Sequence, residues 1–235
     1  MGKNQSVFVI GDIHFPYCHP DTFAFIKAVK AKYKPDKIIQ IGDEADLHSI
    51  SFHDHNPNLF SPGDELGRAK ESIKLLEEIF PEMDILESNH GSLFYRKQVN
   101  AKLPREIFKD YNAIYGVSKK WKWHRDLTLK LSNGKYVYFC HGKSSDVMKT
   151  SQSMGMSTVQ GHYHEKMSIQ YWGNSLGLYF AAQTGCLVDD DSLAMEYNKL
   201  NLRRPLIGSL IIIDGHPRLL PMILGPNGRW NKELL

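Results

Sequence analysis

Cysteine is scarce in this sequence. The 235 residues include three cysteines, at positions 18, 140 and 186, and no two of them form a Cys-x-x-Cys pair. An odd number of widely spaced cysteines argues against a disulfide framework and favours a reducing compartment. We therefore expect a cytoplasmic protein whose cysteines are free.

Long apolar runs are absent as well. No stretch approaches the roughly 18 apolar residues that a membrane-spanning helix requires. The opening segment MGKNQSVFVIGD has too short an apolar run for a signal peptide and leads directly into a polar Gly-Asp pair. We therefore expect a soluble protein with no membrane partner.

A dominant charge of one sign is the third absence. Lysine and arginine number 29 against 26 aspartates and glutamates, so the net charge is +3 with neutral histidines. A charge this small does not by itself indicate a nucleic-acid-binding protein. With 42% hydrophobic residues and no internal repeat, the composition is that of an ordinary globular protein. The length allows one substantial core, and we expect residues 1–235 to form a single domain.

The first half of the chain alternates short β-rich runs with segments of helical spacing. Apolar residues recur at intervals of three and four in the helical segments, whereas the β-rich runs are short and continuous. Such alternation predicts a parallel sheet built from right-handed crossovers. The expected order is strand, helix, strand, loop, helix and strand, over 7–10, 21–33, 37–41, 47–63, 64–80 and 83–86.

The second half shows the period of two that is typical of antiparallel strands. The stretch LTLKLSNGKYVYFCHG alternates on both sides of Asn133-Gly134, a strong hairpin signal. A helix or loop is expected over 144–154, and 101–125 reads as helix plus loop. Further strands are expected near 157–160, 167–171 and 178–182, and a strand pair over 207–214 and 218–224. The fold class is therefore α/β.

Polar residues of metal-ligand type cluster where the predicted strands end. Ligands of open α/β sheets bind outside the carboxyl ends of the strands, so these side chains are expected to converge on one crevice. They follow the strands in the order Asp12 and His14, Asp43 and Asp46, Asn89 and His90, His141, and finally His162 and His164.

The spacing of these residues has chemical content. In Asp-x-His and His-x-His the alternate residues of an extended segment point the same way, so each pair can face one metal. Carboxylate, imidazole and amide oxygen together suit Mn, Fe or Zn better than calcium. Seven such side chains exceed the needs of one tetrahedral zinc, but two metals sharing a carboxylate would use them all. Paired metals about 3.5–4 Å apart activate a bridging hydroxide for phosphate-ester hydrolysis.

Five short motifs, in this order, make the chain resemble the calcineurin-like metallophosphoesterase family. They are GDIH (11–14), GDEAD (42–46), SNHG (88–91), CHG (140–142) and GHYH (161–164). The resemblance implies a metallophosphoesterase-type β-sandwich of two mixed sheets, flanked by helices, with a dinuclear metal site at one edge. It also implies two divalent ions, with Mn preferred and Fe, Zn or Ni as alternatives.

The resemblance assigns a role to each motif residue. Asp12, His14 and His164 would hold one metal, Asn89, His141 and His162 the other, and Asp43 would bridge them. His90 would be the acid that protonates the leaving oxygen, with Asp46 as its supporting partner. Members of the family usually carry Gly-Asn-His followed by an acidic residue, whereas this chain has Ser88 and Gly91. Asp46 is then the only motif acid expected near His90.

The substrate is expected to be a phosphate ester, with a lean toward DNA or nucleotide phosphodiesters. The lean rests on the basic and aromatic segment SKKWKWHRD (118–126) and on the DNA-repair nuclease branch of the resembled family. Equally, the tryptophans of that segment could pack into the core. A phosphatase acting on proteins or small molecules, and a metal- or phosphate-binding module without turnover, are the alternatives. Candidate substrate contacts are His48, His53, Lys143 and Ser144, although histidines in such a loop are more often plain loop residues without a ligand role.

Overall fold

A computed structural model of the chain describes residues 6–52, 57–192 and 204–234. The elements of the first half are β1 (Ser6–Ile10), α1 (Thr22–Tyr33), β2 (Lys37–Gln40), α2 (Pro62–Ile79), β3 (Met83–Leu86), α3 (Leu93–Asn100), α4 (Tyr111–Tyr115) and β4 (Trp121–His124). Those of the second half are β5 (Leu127–Lys130), β6 (Tyr136–Cys140), α5 (Val147–Met154), β7 (Ser157–Gln160), β8 (Met167–Asn174), β9 (Gly177–Thr184), β10 (Gly208–Ile213) and β11 (His216–Pro221). Two short 3-10 helices lie at His48–Ile50 and Arg105–Ile107.

The first sheet has six strands in the order β11-β10-β1-β2-β3-β4. Strands β1 to β4 run parallel, as the strand–helix alternation predicts, and β10 pairs antiparallel with β1. The prediction of helix plus loop over 101–125 is wrong at its end, because Trp121–His124 forms the edge strand β4. Four residues are too few for a period of two to stand out from the surrounding lysines.

The second sheet has five strands in the order β5-β6-β7-β9-β8. The hairpin around Asn133-Gly134 is confirmed, with Leu127 opposite Phe139 and Lys130 opposite Tyr136. Strands β6, β7 and β9 run parallel, so this sheet is mixed like the first.

Burial of β1 on both faces explains the layer order. Val7 and Val9 join a core that lies between the two sheets and includes Phe139 and Val159 of the second sheet. Phe8 and its neighbours on the opposite face pack instead against the residues of α1 and α2. A strand that is buried on both sides reads as a continuous apolar run, as VFVI does here. The expected sandwich of two mixed sheets flanked by helices is confirmed.

The two sheets present the carboxyl ends of their parallel strands to the same edge. The amide of Ile41 donates to the carbonyl of Ile10 (3.1 Å), and the amide of Gly161 donates to the carbonyl of His141 (2.8 Å). His141 Nδ1 lies 3.1 Å from the carbonyl oxygen of Ile41 and so joins the two sheets. Among the described residues, no helix combines the length and apolar character needed to cross a bilayer. A single domain over residues 1–235 stays a prediction.

Candidate metal centre

The strand-end residues converge as the sequence predicts. One group consists of Asp12, His14, Asp43 and His164, whose ligand-type atoms all lie within 4.8 Å of one another. His14 Nε2 lies 3.1 Å from His164 Nε2 and 3.3 Å from Asp43 Oδ2. Asp12 Oδ2 lies 3.3 Å from His164 Nε2. Two carboxylates and two imidazoles thus point at one small volume from three different loops.

A second group lies on the other side of Asp43. It consists of Asp43, His141 and His162, again with ligand-type atoms within 4.8 Å of one another. His141 Nε2 lies 3.1 Å from Asp43 Oδ2 and 2.7 Å from the amide oxygen of Asn89. The rings of His141 and His162 meet edge to face, with centroids 5.0 Å apart. Asp43 Oδ2 therefore faces both groups, as a bridging carboxylate must.

The chemistry of these groups fits divalent cations. Oδ1 of Asp12 is buried and receives no hydrogen bond from the described residues. A buried carboxylate oxygen without a donor is unfavourable unless a cation compensates it. Imidazole nitrogens facing carboxylate oxygens and an amide oxygen form a mixed N/O donor set that suits first-row transition metals. The cluster is thus suited to divalent metal ions.

Backbone strain coincides with three of the candidate ligands. His14, Asp43 and His162 have φ values of 56°, 53° and 71°, in the left-handed region that non-glycine residues rarely adopt. Such strain is held in place only where the surrounding structure determines it, and it concentrates at functional sites. These side chains are therefore presented by backbone geometry that their own conformational preferences oppose.

The turn before Asp43 requires glycine. Gly42 has φ +113°, and a Cβ at this position would lie 2.5 Å from His141 Nδ1. Gln40 closes the turn, since its side-chain amide donates to the Gly42 carbonyl (2.6 Å) and its oxygen accepts from the Gly42 amide (2.8 Å). The imidazole of His141 can approach β2 closely because position 42 has no side chain.

Asp46 lies between His14 and His90. Its Oδ2 is 3.4 Å from His14 Nδ1, and its Oδ1 is 3.3 Å from His90 Nδ1. His90 Nδ1 also contacts the backbone oxygen of Asp46, and the His90 amide donates to Asp43 Oδ1 (3.2 Å). The predicted pairing of Asp46 with His90 is present in the geometry. The sequence did not indicate that Asp46 also supports His14.

The pKa values of the candidate ligand histidines are shifted in different directions. Burial alone would lower the pKa of His141, but Asp43 and Asp12 raise it to about 9. Burial also opposes charge on His14, yet carboxylates led by Asp43 hold its pKa well above the ordinary value. His162 differs, because burial and the neighbouring His141 lower its pKa. His14 and His141 thus favour their protonated forms until another cation displaces the proton.

His90 also favours its protonated form. Burial would lower its pKa, but Asp43 and Asp46 together raise it above the ordinary value. A general acid must hold its proton at the working pH, and a neighbouring carboxylate is the usual means of ensuring this. The surroundings of His90 therefore suit the acid role that the resemblance implies.

One carboxylate near the turn that carries His90 and Gly91 was not predicted from the sequence. Glu44 is fully buried between Asp43 and Ala45, and burial raises the pKa of its carboxyl to about 7. Its carboxylate lies against Gly91, the position where the resemblance leads one to expect an acidic residue. Glu44 thus adds a second carboxylate, besides that of Asp46, next to the turn that carries His90. Glu44 stands between the motif residues Asp43 and Asp46, and no sequence pattern marks it as a functional residue. Its contact with Gly91 joins residues that are 47 positions apart.

Three of the four candidate substrate contacts lie within the described residues, and each of the three makes a contact inside the protein. The amide of His48, the buried first residue of a 3-10 turn, donates to Glu65 Oε1 (2.8 Å). Lys143 Nζ lies 2.8 Å from Asp126 Oδ1, and Ser144 Oγ accepts from the Asp146 amide (3.2 Å). His53 lies outside the described residues. These contacts hold the loops, and substrate binding by the four residues stays a prediction.

The tryptophans of the basic and aromatic segment 118–126 pack against other residues of the protein. Trp121 is 1% exposed and its Nε1 donates to the Phe80 carbonyl (2.9 Å). Trp123 stacks on Tyr111, with ring centroids 4.5 Å apart. Lys120 pairs with Glu82 on the surface. Trp121 is therefore a core residue and the partly buried Trp123 packs against the core, so this segment no longer supports a nucleic-acid surface.

Comparisons with known proteins support the fold. No family model matches the sequence, and no curated protein matches it. Vps29 from Chaetomium thermophilum superposes with a TM-score of 0.50 at 8% identity, covering 98% of this chain and 96% of that one. Vacuolar Protein Sorting 29 from Cryptosporidium parvum gives 0.49 at 13% identity (89% and 85% covered). Yfce, a phosphoesterase from E. coli, gives 0.42 at 12% identity (98% and 98% covered).

Identities this low carry information about the fold alone. The two mixed sheets, their flanking helices and the likeness to Vps29 identify the calcineurin-like metallophosphoesterase fold. What the chain does must be argued from its own site.

Proposed function

We propose that the chain is a metallophosphoesterase, a hydrolase that cleaves phosphate esters at two divalent metal ions. The observation that supports this most is the position of Asp43, whose Oδ2 lies 3.3 Å from His14 Nε2 and 3.1 Å from His141 Nε2. Two ions held by these residues would activate water for attack and would neutralise the charge on the phosphoryl oxygens. Mn is the first choice of metal, with Fe, Zn and Ni as alternatives.

The ligand assignment follows the two groups of side chains. Asp12, His14 and His164 would hold one ion, and Asn89, His141 and His162 the other, with Asp43 shared. Asp46 supports His14 from behind, because its Oδ2 lies 3.4 Å from Nδ1, the nitrogen that does not face the cluster. Partners of this kind fix the tautomer and orientation of a ligating imidazole.

His90 is the proposed acid. Asp46 and Asp43 favour the protonated imidazole, and Asp46 contacts its Nδ1. With Nδ1 held, Nε2 is the nitrogen left to donate a proton to the departing oxygen. The side chain is 25% exposed, so a substrate can reach it.

Nucleic acids or nucleotides are the proposed substrates, and the support comes from residues outside segment 118–126. Phe52 is 46% exposed, with the Arg96 guanidinium 4.9 Å and the Lys97 ammonium 4.0 Å from its ring centre. Arg96 also donates to the backbone oxygen of Asn89 (3.1 Å), which places this basic and aromatic combination beside the candidate metal centre. Cations that grip phosphates next to an aromatic ring that stacks bases are typical of single-strand binders.

A metal-binding module without turnover is the second candidate function. Gly91 favours it, because the turn that holds His90 lacks the acidic side chain that the resembled family carries. A module of this kind would keep the ions and lose the hydrolysis. A protein or small-molecule phosphatase is the alternative within the enzyme class.

Hydrolysis of a chromogenic phosphodiester and phosphomonoester, of single-stranded and duplex DNA, and of nucleotides tests the proposal, with Mn, Fe, Zn and Ni added in turn. We expect turnover of the diester that depends on added metal and disappears with a chelator. An absence of turnover with every substrate and metal would leave the binding module as the function.

Two histidine variants separate the roles within the site. His141→Ala should lose metal and activity together, whereas His90→Ala should keep its metal content and lose roughly 10²–10⁴-fold in kcat, the usual contribution of a general acid. Metal analysis of the purified variants beside turnover measures both. Full activity in His90→Ala would refute the acid role.

A further inference from the structure

Glu44 combines complete burial with an incomplete set of partners. Its side chain is 1% exposed, and its Oε1 accepts a hydrogen bond from the Tyr115 hydroxyl (2.8 Å). Oε2 is buried and receives no hydrogen bond from any described residue. A carboxyl group in this state destabilises the fold relative to an apolar side chain of the same shape. Stability therefore does not explain why a glutamate occupies position 44.

The position of Gly91 shows what the carboxylate touches. A Cβ built on Gly91 would lie 3.2 Å from Glu44 Oε1, 3.6 Å from Oε2 and 3.1 Å from Ser88 Oγ. The Glu44 carboxylate thus fills the space that a side chain at position 91 would enter. Ser88 Oγ accepts from the Gly91 amide (3.0 Å) and closes the turn from the other side.

Both sides of this contact carry candidate metal ligands. Glu44 directly follows Asp43, and Gly91 follows Asn89 and His90. The amide of His90 donates to Asp43 Oδ1 (3.2 Å), so the two turns already meet at one further point. A shift of either turn would change the distance between Asp43 and the Asn89 oxygen, and with it the shape of the second ion's site.

Tyr115 connects this contact to the rigid part of the fold. Its side chain is fully buried at the end of α4, and its ring stacks on Trp123 of β4 with centroids 5.8 Å apart. The hydroxyl therefore holds the Glu44 carboxylate from a fixed position in the core. A residue locked by packing is the kind of support that a precise metal site needs.

We propose that Glu44, anchored by Tyr115, is a positioning residue that sets the spacing between the Asp43 turn and the Asn89–His90 turn. It acts through the backbone of both turns and touches neither ion nor substrate. The effect on turnover rests on the proposed hydrolysis, but the effect on metal affinity does not.

The double variant Glu44→Met/Tyr115→Phe removes the carboxyl and the hydroxyl together while filling the same space. Because an unsatisfied buried carboxyl is lost, its Tm should equal or exceed that of the native chain. Affinity for Mn²⁺ alone should fall about tenfold, within the 10–100-fold range for residues that support ligands. kcat should fall by a similar factor at saturating metal, with KM unchanged. A purely structural role gives the opposite result, a lower Tm with native Mn²⁺ affinity.

Moving the carboxyl across the contact provides the rescue. Glu44→Ala alone should lose at least about tenfold in Mn²⁺ affinity. Glu44→Ala/Gly91→Asp places a carboxyl in the same space from the other turn and should recover affinity to within about threefold of the native chain. Gly91→Asp alone crowds two carboxyls together and should weaken binding again.

Mn²⁺ titration followed by electron paramagnetic resonance reads affinity without any turnover. If the native chain binds Mn²⁺ but hydrolyses nothing, the proposed function fails, and the affinities alone decide the role of Glu44. Native affinity in Glu44→Met/Tyr115→Phe, or no recovery in Glu44→Ala/Gly91→Asp, would overturn the proposal. Asp84→Asn is the matched control, since it alters a buried carboxylate of β3 that contacts no candidate ligand, and its Mn²⁺ affinity should be native.

Discussion

One cluster of carboxylate and imidazole lies within the first sheet and another lies beyond its strand ends, and the two are built differently. Asp84 of β3 meets the Lys37 ammonium with one oxygen and His124 Nε2 (2.6 Å) with the other. The cluster around Asp43 lies beyond the carboxyl ends of β1, β2 and β3. Among the described residues, no lysine or arginine pairs with any of its three motif aspartates, and Asp12 Oδ1 receives no hydrogen bond.

The difference separates a structural ion pair from a binding site. Asp84 has as many donors as it has oxygens, so nothing further is needed to compensate its charge. The Asp43 cluster has an excess of acceptors, and its histidines compensate the carboxylates only while they are protonated. A cation would replace those protons. An unbalanced cluster is therefore the better indicator of a metal site than the number of its histidines.

Asp43→Asn should have the largest effect of these changes, on metal binding and on activity. Removing the shared carboxylate weakens both ion sites at once, so we expect loss of bound metal and a fall in kcat/KM of more than about 100-fold, the upper end for residues that only support ligands. Metal analysis after gel filtration, together with turnover of the best substrate, measures both. Retention of two equivalents of metal would contradict a bridging role.

Metal binding should depend on pH through the histidines. The pKa of His141 is raised to about 9 in the metal-free chain, so the imidazole is protonated at pH 7 and an ion must displace its proton. Affinity should therefore fall as pH drops below about 9, by about tenfold per pH unit for each displaced proton. Calorimetric Mn²⁺ titrations in buffers of different ionisation enthalpy count the released protons. Heats that do not depend on the buffer would show that His141 binds no ion.

Asp84→Asn should affect stability and leave chemistry alone. The variant weakens the contacts to Lys37 and His124, and we expect a loss of about 1–3 kcal/mol in the free energy of unfolding, as for other buried hydrogen bonds to charged groups. kcat/KM should stay within about twofold of native because no candidate ligand is involved. Urea unfolding and turnover measured on the same preparation test this. A tenfold loss of activity would mean that the two clusters are coupled.

Lys120→Ala should have the smallest effect. Lys120 pairs with Glu82 at 2.7 Å, but their side chains are 64% and 72% exposed. Solvent-exposed pairs contribute little to stability because water and salt screen them. We expect an unchanged Tm and unchanged turnover, with differential scanning calorimetry as the measurement. A clear drop in Tm would show that the edge strand β4 depends on surface charge.

The sequence located the site better than it located the edges of the fold. The five motifs gave the candidate ligands because Asp12, Asp43 and His141 each follow a strand, and parallel strands end at one edge. It missed β4 because Trp121 and Trp123 stand in a four-residue strand among lysines. It missed Glu44 because the contact with Gly91 depends on how two loops pack, which local pattern does not encode. The sequence alone does not reveal whether the tryptophans of 118–126 are exposed, because exposure depends on the tertiary packing around them.

The left-handed conformations of His14, Asp43 and His162 have a consequence for the life of the protein in a cell. Each costs of order 1 kcal/mol relative to relaxed backbone, and that energy is present whether or not an ion is bound. Ions that bind only the folded chain shift the folding equilibrium toward it. A cell starved of the metal would then hold a chain that unfolds more often and is degraded sooner. Metal supply would then affect the abundance of this protein.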